Sequence, residues 1–131
     1  RVSVPCNNDL LAANFVLDGD KIWLIDYEYS GNNDPTFELG NIWRDNGLSL
    51  EQLEELVTAY YGRTTRHELA RARLQGTVSQ YGWTLWGCIQ NGSSTLDFDF
   101  WEWAMERYDN AVEEFKGPDF TRLLDDARTG D

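Results

Sequence analysis

A change of pattern near residue 35 constrains the fold more than any other feature of this sequence. Before it, two short apolar runs, FVL at 15–17 and IWLI at 22–25, flank the sequence DGDK. This arrangement is typical of two strands joined by a tight Asp-Gly turn. After residue 35, apolar residues recur at helical spacing between capping residues. We therefore predict an α+β chain that is mainly helical, with a small β-hairpin in front of a helical bundle.

Helix-start signals recur along this second part of the chain. The sequences SLEQ and TRHE each place a Ser or Thr three residues before Gln or Glu, which is the capping-box pattern. Pro and Asp residues mark the starts of the other helices, and the sequence NGSS is expected to interrupt the longest helix. The predicted helices begin at Pro35 and after Ser49, Thr65, Asp99 and Asp119, and the first four end near Arg44, Gly62, Gln90 and Gly117.

Charge and cysteine content exclude several classes of protein. Eleven basic and 23 acidic residues give a net charge of −12, which opposes binding to a phosphate backbone, so we expect no nucleic-acid partner. No apolar run approaches the roughly 18 residues of a membrane span, so we expect no membrane insertion. Two cysteines are too few for a disulfide framework or a cysteine zinc site. A reduced, cytoplasmic setting is the simplest interpretation.

Length and the amino end bear on domain organisation. The 131 residues, 41% of them hydrophobic, can form one ordinary domain or a large subdomain with its own core. The chain begins with Arg1, and its only methionine is Met105. We therefore expect it to be a piece of a longer protein.

Three polar residues around the predicted hairpin suggest chemistry. Asp9 precedes the hairpin, Asn14 follows five residues later, and Asp26 ends the second apolar run. In protein kinases this order provides a catalytic-loop Asp and two magnesium ligands. A carboxylate such as Asp9 can orient a hydroxyl nucleophile and take its proton, and Mg²⁺ prefers oxygen ligands and keeps several waters. On spacing alone, these residues could equally cap a turn, start a strand and end one.

The text around these residues resembles the choline/ethanolamine kinases, relatives of the aminoglycoside phosphotransferases. The sequences PCNNDLLAANF, IDYEY and FELGN follow the family's motifs in order, and WTLWGCIQ and LDFDFWEWAMERYDNA resemble its closing helices. The resemblance implies the carboxy-terminal lobe of a protein-kinase-like enzyme, with ATP as a substrate and Mg²⁺ as a cofactor. It divides the chain into a catalytic loop and metal-binding hairpin, residues 1–34, and a helical acceptor-binding subdomain, residues 35–131.

The resemblance also implies an acceptor pocket. A quaternary ammonium group cannot donate a hydrogen bond, so proteins recognise it with aromatic faces and a nearby carboxylate. The chain has six Trp, six Tyr and six Phe, and aromatic residues at helical spacing could also be core. Matched motif by motif, the residues that fall where the family binds its acceptor are Tyr29, Asp45, Trp83, Trp86 and Trp103.

Two residues depart from the family pattern. Asn7 stands where the family has a His that anchors the catalytic loop, and Glu38 stands where it more often has an Asp. The longer Glu38 side chain could shift the backbone that it holds. The Gly-rich phosphate loop and the Lys–Glu pair of the nucleotide-clamping lobe are not found in this sequence. We therefore expect residues 1–131 alone to be inactive.

Three functions remain open from the sequence. The first is a lobe of a choline or ethanolamine kinase that transfers the γ-phosphate of ATP to a small amino alcohol. The second is an aminoglycoside-type phosphotransferase, whose polycationic acceptor would favour acidic residues over aromatic ones. The third is a non-catalytic module that binds quaternary ammonium groups. The sequence does not separate choline from ethanolamine or another small alcohol, and it does not give the oligomeric state.

Overall fold

The computed structural model describes residues 3–63 and 65–130. Residues 1 and 2 of the predicted subdomain 1–34, and residues 64 and 131 of the predicted subdomain 35–131, lie outside the described residues. Four short strands come first: β1 (Val4–Cys6), β2 (Phe15–Asp18), β3 (Lys21–Leu24) and β4 (Gly31–Asn33). Five helices follow: α1 (Pro35–Asp45), α2 (Leu50–Tyr61), α3 (Arg66–Ser93), α4 (Phe100–Lys116) and α5 (Phe120–Thr129). The mainly helical α+β fold with a small hairpin is the fold that the sequence predicts.

The predicted hairpin is formed by β2 and β3. These strands pair antiparallel, with Phe15 opposite Leu24 and Asp18 opposite Lys21. Gly19 in the connecting turn has a φ of +59°, which glycine adopts without the penalty that a Cβ atom brings. The hairpin therefore places Asn14, one residue before β2, and Asp26, two residues after β3, at its open end.

A second two-stranded sheet was not predicted. Strands β1 and β4 pair antiparallel, with Val4 opposite Asn33 and Cys6 opposite Gly31. Each strand has only three residues, and GNN has no apolar alternation that would indicate a strand. The hairpin lies in the chain segment between β1 and β4. Because β1 and β4 are hydrogen-bonded to each other, the two ends of this segment are held together.

Helices α1, α2 and α3 enclose the core. The buried core residues are Leu39, Trp43, Leu53, Val57 and Ala72. Helices α1 and α3 approach closely at Gly40 and Gly76: a Cβ atom on Gly76 would lie 2.7 Å from the Gly40 carbonyl oxygen. The two backbones can therefore touch only because both positions lack a side chain.

The predicted helix starts at Ser49, Thr65 and Asp99 are confirmed. Ser49 and Gln52 form both hydrogen bonds of a capping box, and Thr65 and Asp99 each accept a hydrogen bond from the backbone three residues on. Within the described residues, no helix is long and apolar enough to cross a membrane.

Two predictions about helix ends were wrong. Helix α3 continues through Ser93 rather than ending near Gln90, because Asn91, Gly92 and Ser93 are exposed and can complete another helical turn at little cost. Asp119 occupies the N-cap position of α5, but its side chain makes no capping hydrogen bond. Its carboxylate pairs instead with Arg122 at 3.0 Å and Arg73 at 3.2 Å.

Candidate active site

The loop that contains Asp9 is held by hydrogen bonds on both sides. The Asp9 N–H donates to Asn7 Oδ1 at 2.9 Å, and Asn14 Nδ2 donates to the Asp9 carbonyl oxygen at 2.9 Å. Asn14 Nδ2 also lies 3.4 Å from Asp9 Oδ2. Asp9 is 8% exposed. The loop therefore holds this carboxylate in one position close to Asn14.

The environment of Asp9 favours its protonated form. Burial raises the pKa of this carboxyl above its ordinary value, and the negative charge of Asp26 raises the pKa further, while the hydrogen bond from Asn14 lowers it. A raised pKa brings a carboxylate nearer to the working range of a general base.

Asn7 and Glu38, the two residues that depart from the family pattern, both make hydrogen bonds through their side chains. The Glu38 carboxylate accepts hydrogen bonds from the N–H groups of Asn7, at 2.6 Å, and Asn8, at 2.9 Å. Asn7 Nδ2 donates to the Asp26 carbonyl oxygen at 2.9 Å. The Asn7 amide thus connects the backbone of Asp9 to that of Asp26, and Glu38 holds the start of the loop that contains Asp9 against α1.

Asn14 and Asp26 meet at the open end of the hairpin. The Ile25 N–H donates to the Asn14 carbonyl oxygen at 2.9 Å, which places Asp26 next to Asn14. Asp26 has a φ of +65°, and its carboxylate is exposed. Neither this carboxylate nor Asn14 Oδ1 makes a hydrogen bond within residues 3–63 and 65–130.

This donor set fits Mg²⁺. One carboxylate and one carboxamide oxygen are hard ligands, and Mg²⁺ fills its other positions with water and phosphate oxygens. In the described part of the chain, no group of three or more His, Cys, Asp or Glu residues could hold a metal ion. A site of two protein ligands at the hairpin is the arrangement that the sequence predicts.

A cavity of about 180 Å³ opens beside Asp9. All five residues predicted to bind the acceptor line this cavity. Its lining residues are Asp9, Leu11, Glu28, Tyr29, Asp45, Trp83, Trp86, Trp103 and Arg107. The structure therefore brings together residues from the loop that contains Asp9, from the segment after the hairpin, and from α1, α3 and α4.

The aromatic rings of the cavity form a continuous edge-to-face chain. The ring centroids are 5.6 Å apart between Tyr29 and Trp83, and 5.8 Å apart between Trp83 and Trp86. Trp86 and Trp103 are 5.4 Å apart. Edge-to-face contacts are the favourable geometry for aromatic pairs. They fix the orientation of the rings, and a small cation would bind over their π faces.

Asp45 provides a carboxylate on the α1 side of the cavity. Gln80 Nε2 donates to Asp45 Oδ1 at 2.7 Å. Burial raises the pKa of Asp45 to about 6, although the positive charge of Arg107 and the hydrogen bond from Gln80 lower it. Asp45 therefore loses its proton near pH 6, and it lines the same cavity as the aromatic rings.

Sequence reasoning missed three residues that line the cavity: Leu11, Glu28 and Arg107. Glu28 lies inside the IDYEY sequence, and Arg107 follows Trp103 by four residues, one turn along α4. Spacing could have suggested both, but only the packing of α4 against α3 shows that Arg107 faces the cavity.

Sequence comparison gives the family. The family described as "Phosphotransferase enzyme family" matches residues 2–73, more than half of the chain. The chain therefore belongs to the phosphotransferase enzyme family, as its resemblance predicted. Among similar proteins, ethanolamine kinase 2 of Rattus norvegicus is 32% identical over 126 residues, covering 80% of this chain and 33% of that protein. Protein LicA of Haemophilus influenzae is 32% identical over 116 residues, covering 83% of this chain and 42% of that protein.

Solved structures support the fold. A choline/ethanolamine kinase family protein from Mesorhizobium loti has a TM-score of 0.90 and 33% identity, covering 98% of this chain and 44% of that one. A Plasmodium vivax ethanolamine kinase has a TM-score of 0.71 and 25% identity, covering 93% of this chain and 36% of that one. The chain thus has the kinase-like fold expected of a carboxy-terminal lobe, and it spans less than half the length of these relatives.

Proposed function

We propose that this chain is the acceptor- and metal-binding part of an enzyme that transfers the γ-phosphate of ATP to the hydroxyl group of choline or a similar small amino alcohol. The observation that carries the proposal is that Asp9 lines the same cavity as the aromatic residues and Asp45. A cation held by those residues would place its hydroxyl end beside the Asp9 carboxylate. The names of the ethanolamine kinase and choline/ethanolamine kinase relatives support the same acceptor class.

In the proposed reaction, the acceptor oxygen attacks the γ-phosphorus as the bond from that phosphorus to the bridging oxygen of ADP breaks. Asp9 accepts the hydroxyl proton, and ADP leaves. Mg²⁺, when bound by Asn14 and Asp26, would neutralise charge on the phosphate oxygens. Residues 1–34 would thus carry the chemistry, and residues 35–131 would provide most of the acceptor site.

The cavity would recognise the acceptor by its charge and shape. Tyr29, Trp83 and Trp86 supply aromatic surface for cation–π contacts, each worth about 1–2 kcal/mol when water is excluded. The Asp45 carboxylate adds a negative charge, which attracts a quaternary ammonium group even though that group has no N–H to donate. The proposal therefore accounts for the aromatic lining, which a neutral sugar or a polycationic antibiotic would not require.

The hydrogen bonds of Asn7 favour an enzyme over a non-catalytic binding module. An Asn in place of the family's His could have disrupted the catalytic loop. Instead its side chain contacts both the Asp9 N–H and the Asp26 carbonyl oxygen. The catalytic and metal-binding segments therefore remain connected.

Exchange of Asp9 for Asn in the enzyme that carries this chain tests the proposal. We expect Asp9→Asn to lower kcat at least about 100-fold, the usual contribution of a positioned base, while tetramethylammonium still competes with the acceptor. Asp109→Asn, an exposed change of the same type on α4, should leave kcat unchanged. Near-normal turnover in Asp9→Asn would remove this residue from the mechanism, and failure of tetramethylammonium to compete would exclude a quaternary-ammonium acceptor.

A further inference from the structure

Arg107 already occupies a cation position in the cavity. Its guanidinium carbon, Cζ, lies 3.5 Å from the centroid of the Trp103 ring. Its Nη1 donates to the Trp103 carbonyl oxygen at 3.2 Å, one turn earlier on α4. A guanidinium group stacked over a Trp face makes the same interaction that an acceptor cation would make. One face of Trp103 is therefore filled by the protein itself.

Arg107 brings a positive charge to the cavity, and this charge forms no ion pair with the described residues. Within residues 3–63 and 65–130, Arg107 has no carboxylate within 4.0 Å, and its buried Nε has no hydrogen-bond partner. Asp45 and Arg107 nevertheless act on each other: the Arg107 charge lowers the pKa of Asp45, and the Asp45 charge raises that of Arg107, against the larger effect of burial in each case. The guanidinium is thus held by stacking and by α4.

The balance of charge in the cavity follows from its lining. Asp9, Glu28 and Asp45 are its carboxylates, and Arg107 is its cation among the described residues. Like charges repel each other more strongly in a partly buried cavity than in bulk water. Arg107 therefore offsets one of the three negative charges and weakens the attraction of the cavity for a second positive charge on an acceptor.

We infer that Arg107 is a specificity-determining residue: it fills the cation position on Trp103, and its charge lowers the affinity of the cavity for molecules with two positive charges relative to those with one. The inference rests on the proposed function, because it assumes that a cationic alcohol binds in this cavity. It explains why a guanidinium group lies in a cavity that is otherwise suited to binding a cation.

Two amino alcohols of nearly equal size test the inference. 1-Aminobutan-2-ol carries one ammonium group, and 1,3-diaminopropan-2-ol carries a second ammonium group in place of its terminal methyl group. Their Kd values for this chain can be measured from the fluorescence of the cavity tryptophans at neutral pH. We expect Arg107→Met to shift the ratio of the two Kd values, relative to the wild-type chain, at least about tenfold toward the dication.

Further variants separate charge from structure. Arg107→Lys keeps the positive charge and should keep the wild-type ratio. Arg107→Gln removes the charge but retains a side-chain donor for the Trp103 carbonyl oxygen, so it provides the same test if Arg107→Met does not fold. Arg122→Met, an exposed change on α5, should leave the ratio unaltered. A purely structural role for Arg107 would change both affinities alike.

The two possible failures give different results. If the wild-type chain binds the monocation and the ratio is unchanged in Arg107→Met and Arg107→Gln, the role assigned to Arg107 is wrong. If the wild-type chain binds neither amino alcohol, the proposed function itself is contradicted, and the inference is overturned with it.

Discussion

At the scale of single residues, two consecutive asparagines connect the halves of the candidate site. Asn7 contacts the backbones of Asp9 and Asp26. Asn8, with a φ of +67°, donates from Nδ2 to the Tyr29 carbonyl oxygen at 3.0 Å, and its Oδ1 accepts from Asn33 Nδ2 at 2.9 Å. Asparagine adopts positive φ more readily than most residues. The loop that carries Asp9 is therefore attached along its length to residues 26–33.

The metal site gives the first prediction at this scale. Asp26→Ala should raise the Mg²⁺ concentration needed for half-maximal activity and lower turnover, because it removes the one charged ligand from the proposed site. Asn14→Ala should act in the same direction but less strongly. A Mg²⁺ titration of activity measures both effects, with Asp20→Ala in the hairpin turn as the control. An unchanged Mg²⁺ requirement in both variants would refute the assignment.

Asp45 gives a prediction about pH. Its pKa in the folded chain is about 6, above the ordinary value, so the folded state holds a proton more tightly than the unfolded state. The destabilisation caused by this buried charge is absent at low pH and complete once the pH exceeds 6. Asp45→Asn lacks this titration. Its free energy of unfolding, relative to wild type, should therefore rise by about 1 kcal/mol between pH 5 and pH 8.

Urea unfolding of both proteins at the two pH values measures this difference. The pH range stays above the pI of about 4.3, where the chain would be least soluble. A difference that is the same at pH 5 and pH 8 would show that Asp45 does not titrate in this range.

At the scale of elements, α1 connects the loop that contains Asp9 to the helical bundle. One side of α1 contacts the loop through Glu38 and through Asn41 Oδ1, which accepts from the Leu10 N–H at 3.1 Å. Helix α1 also contacts α3. Asn41 Nδ2 donates to Ser79 Oγ at 2.9 Å, and Gly40 lies against Gly76. The spacing of α1 and α3 therefore also sets the position of the Asp9 loop relative to the cavity.

Two glycines of α3 test this packing. Gly76→Ala should destabilise the chain by about 1–3 kcal/mol, because its new Cβ atom would meet the α1 backbone and would also move α1 and the loop that it holds. Gly82→Ala is the matched control on the same helix, since a Cβ atom there would meet nothing within 4 Å. It should stabilise the chain by about 0.5–1 kcal/mol. Thermal or urea unfolding compares the two, and equal effects would contradict the close approach.

At the scale of the whole molecule, the net charge of −12 is unfavourable for a polyphosphate. The carboxylates of Asp9 and Asp26 add to this repulsion where the phosphates of ATP would lie, and Mg²⁺ offsets only part of it. In phosphoryl transfer, positioning and electrostatic stabilisation provide almost all of the catalysis. The chain spans 33% to 42% of the length of its relatives ethanolamine kinase 2 and LicA, so most of each relative lies outside the aligned region.

We therefore predict that residues 1–131 alone transfer no phosphate, although they fold and bind a small cation. Incubation of the purified chain with labelled ATP, Mg²⁺ and choline should yield no phosphorylated product. The same assay on an enzyme that adds a nucleotide-clamping lobe is the positive control. Robust turnover by the isolated chain would mean that its nucleotide site lies elsewhere than proposed.

Local signals determined much of this fold. The Asp-Gly turn predicted the β2–β3 hairpin, and Ser49, Thr65 and Asp99 predicted their helix starts, because the groups that satisfy these signals lie within three or four residues of each other. The order of Asp9, Asn14 and Asp26 around the hairpin likewise placed the candidate site before any packing was known. The roles of these residues and the division at residue 35 stay predictions, as does the choice of choline.

Tertiary structure decided what depends on residues far apart in the chain. The β1–β4 pairing joins strands whose three residues carry no pattern of their own. Asp119 makes no capping hydrogen bond and pairs with both Arg122 and Arg73, the second of which lies 46 residues earlier. Arg107 faces the cavity only because α4 packs on α3. Burial and charge at such positions are set by neighbours from other elements, and the sequence around each residue does not contain those neighbours.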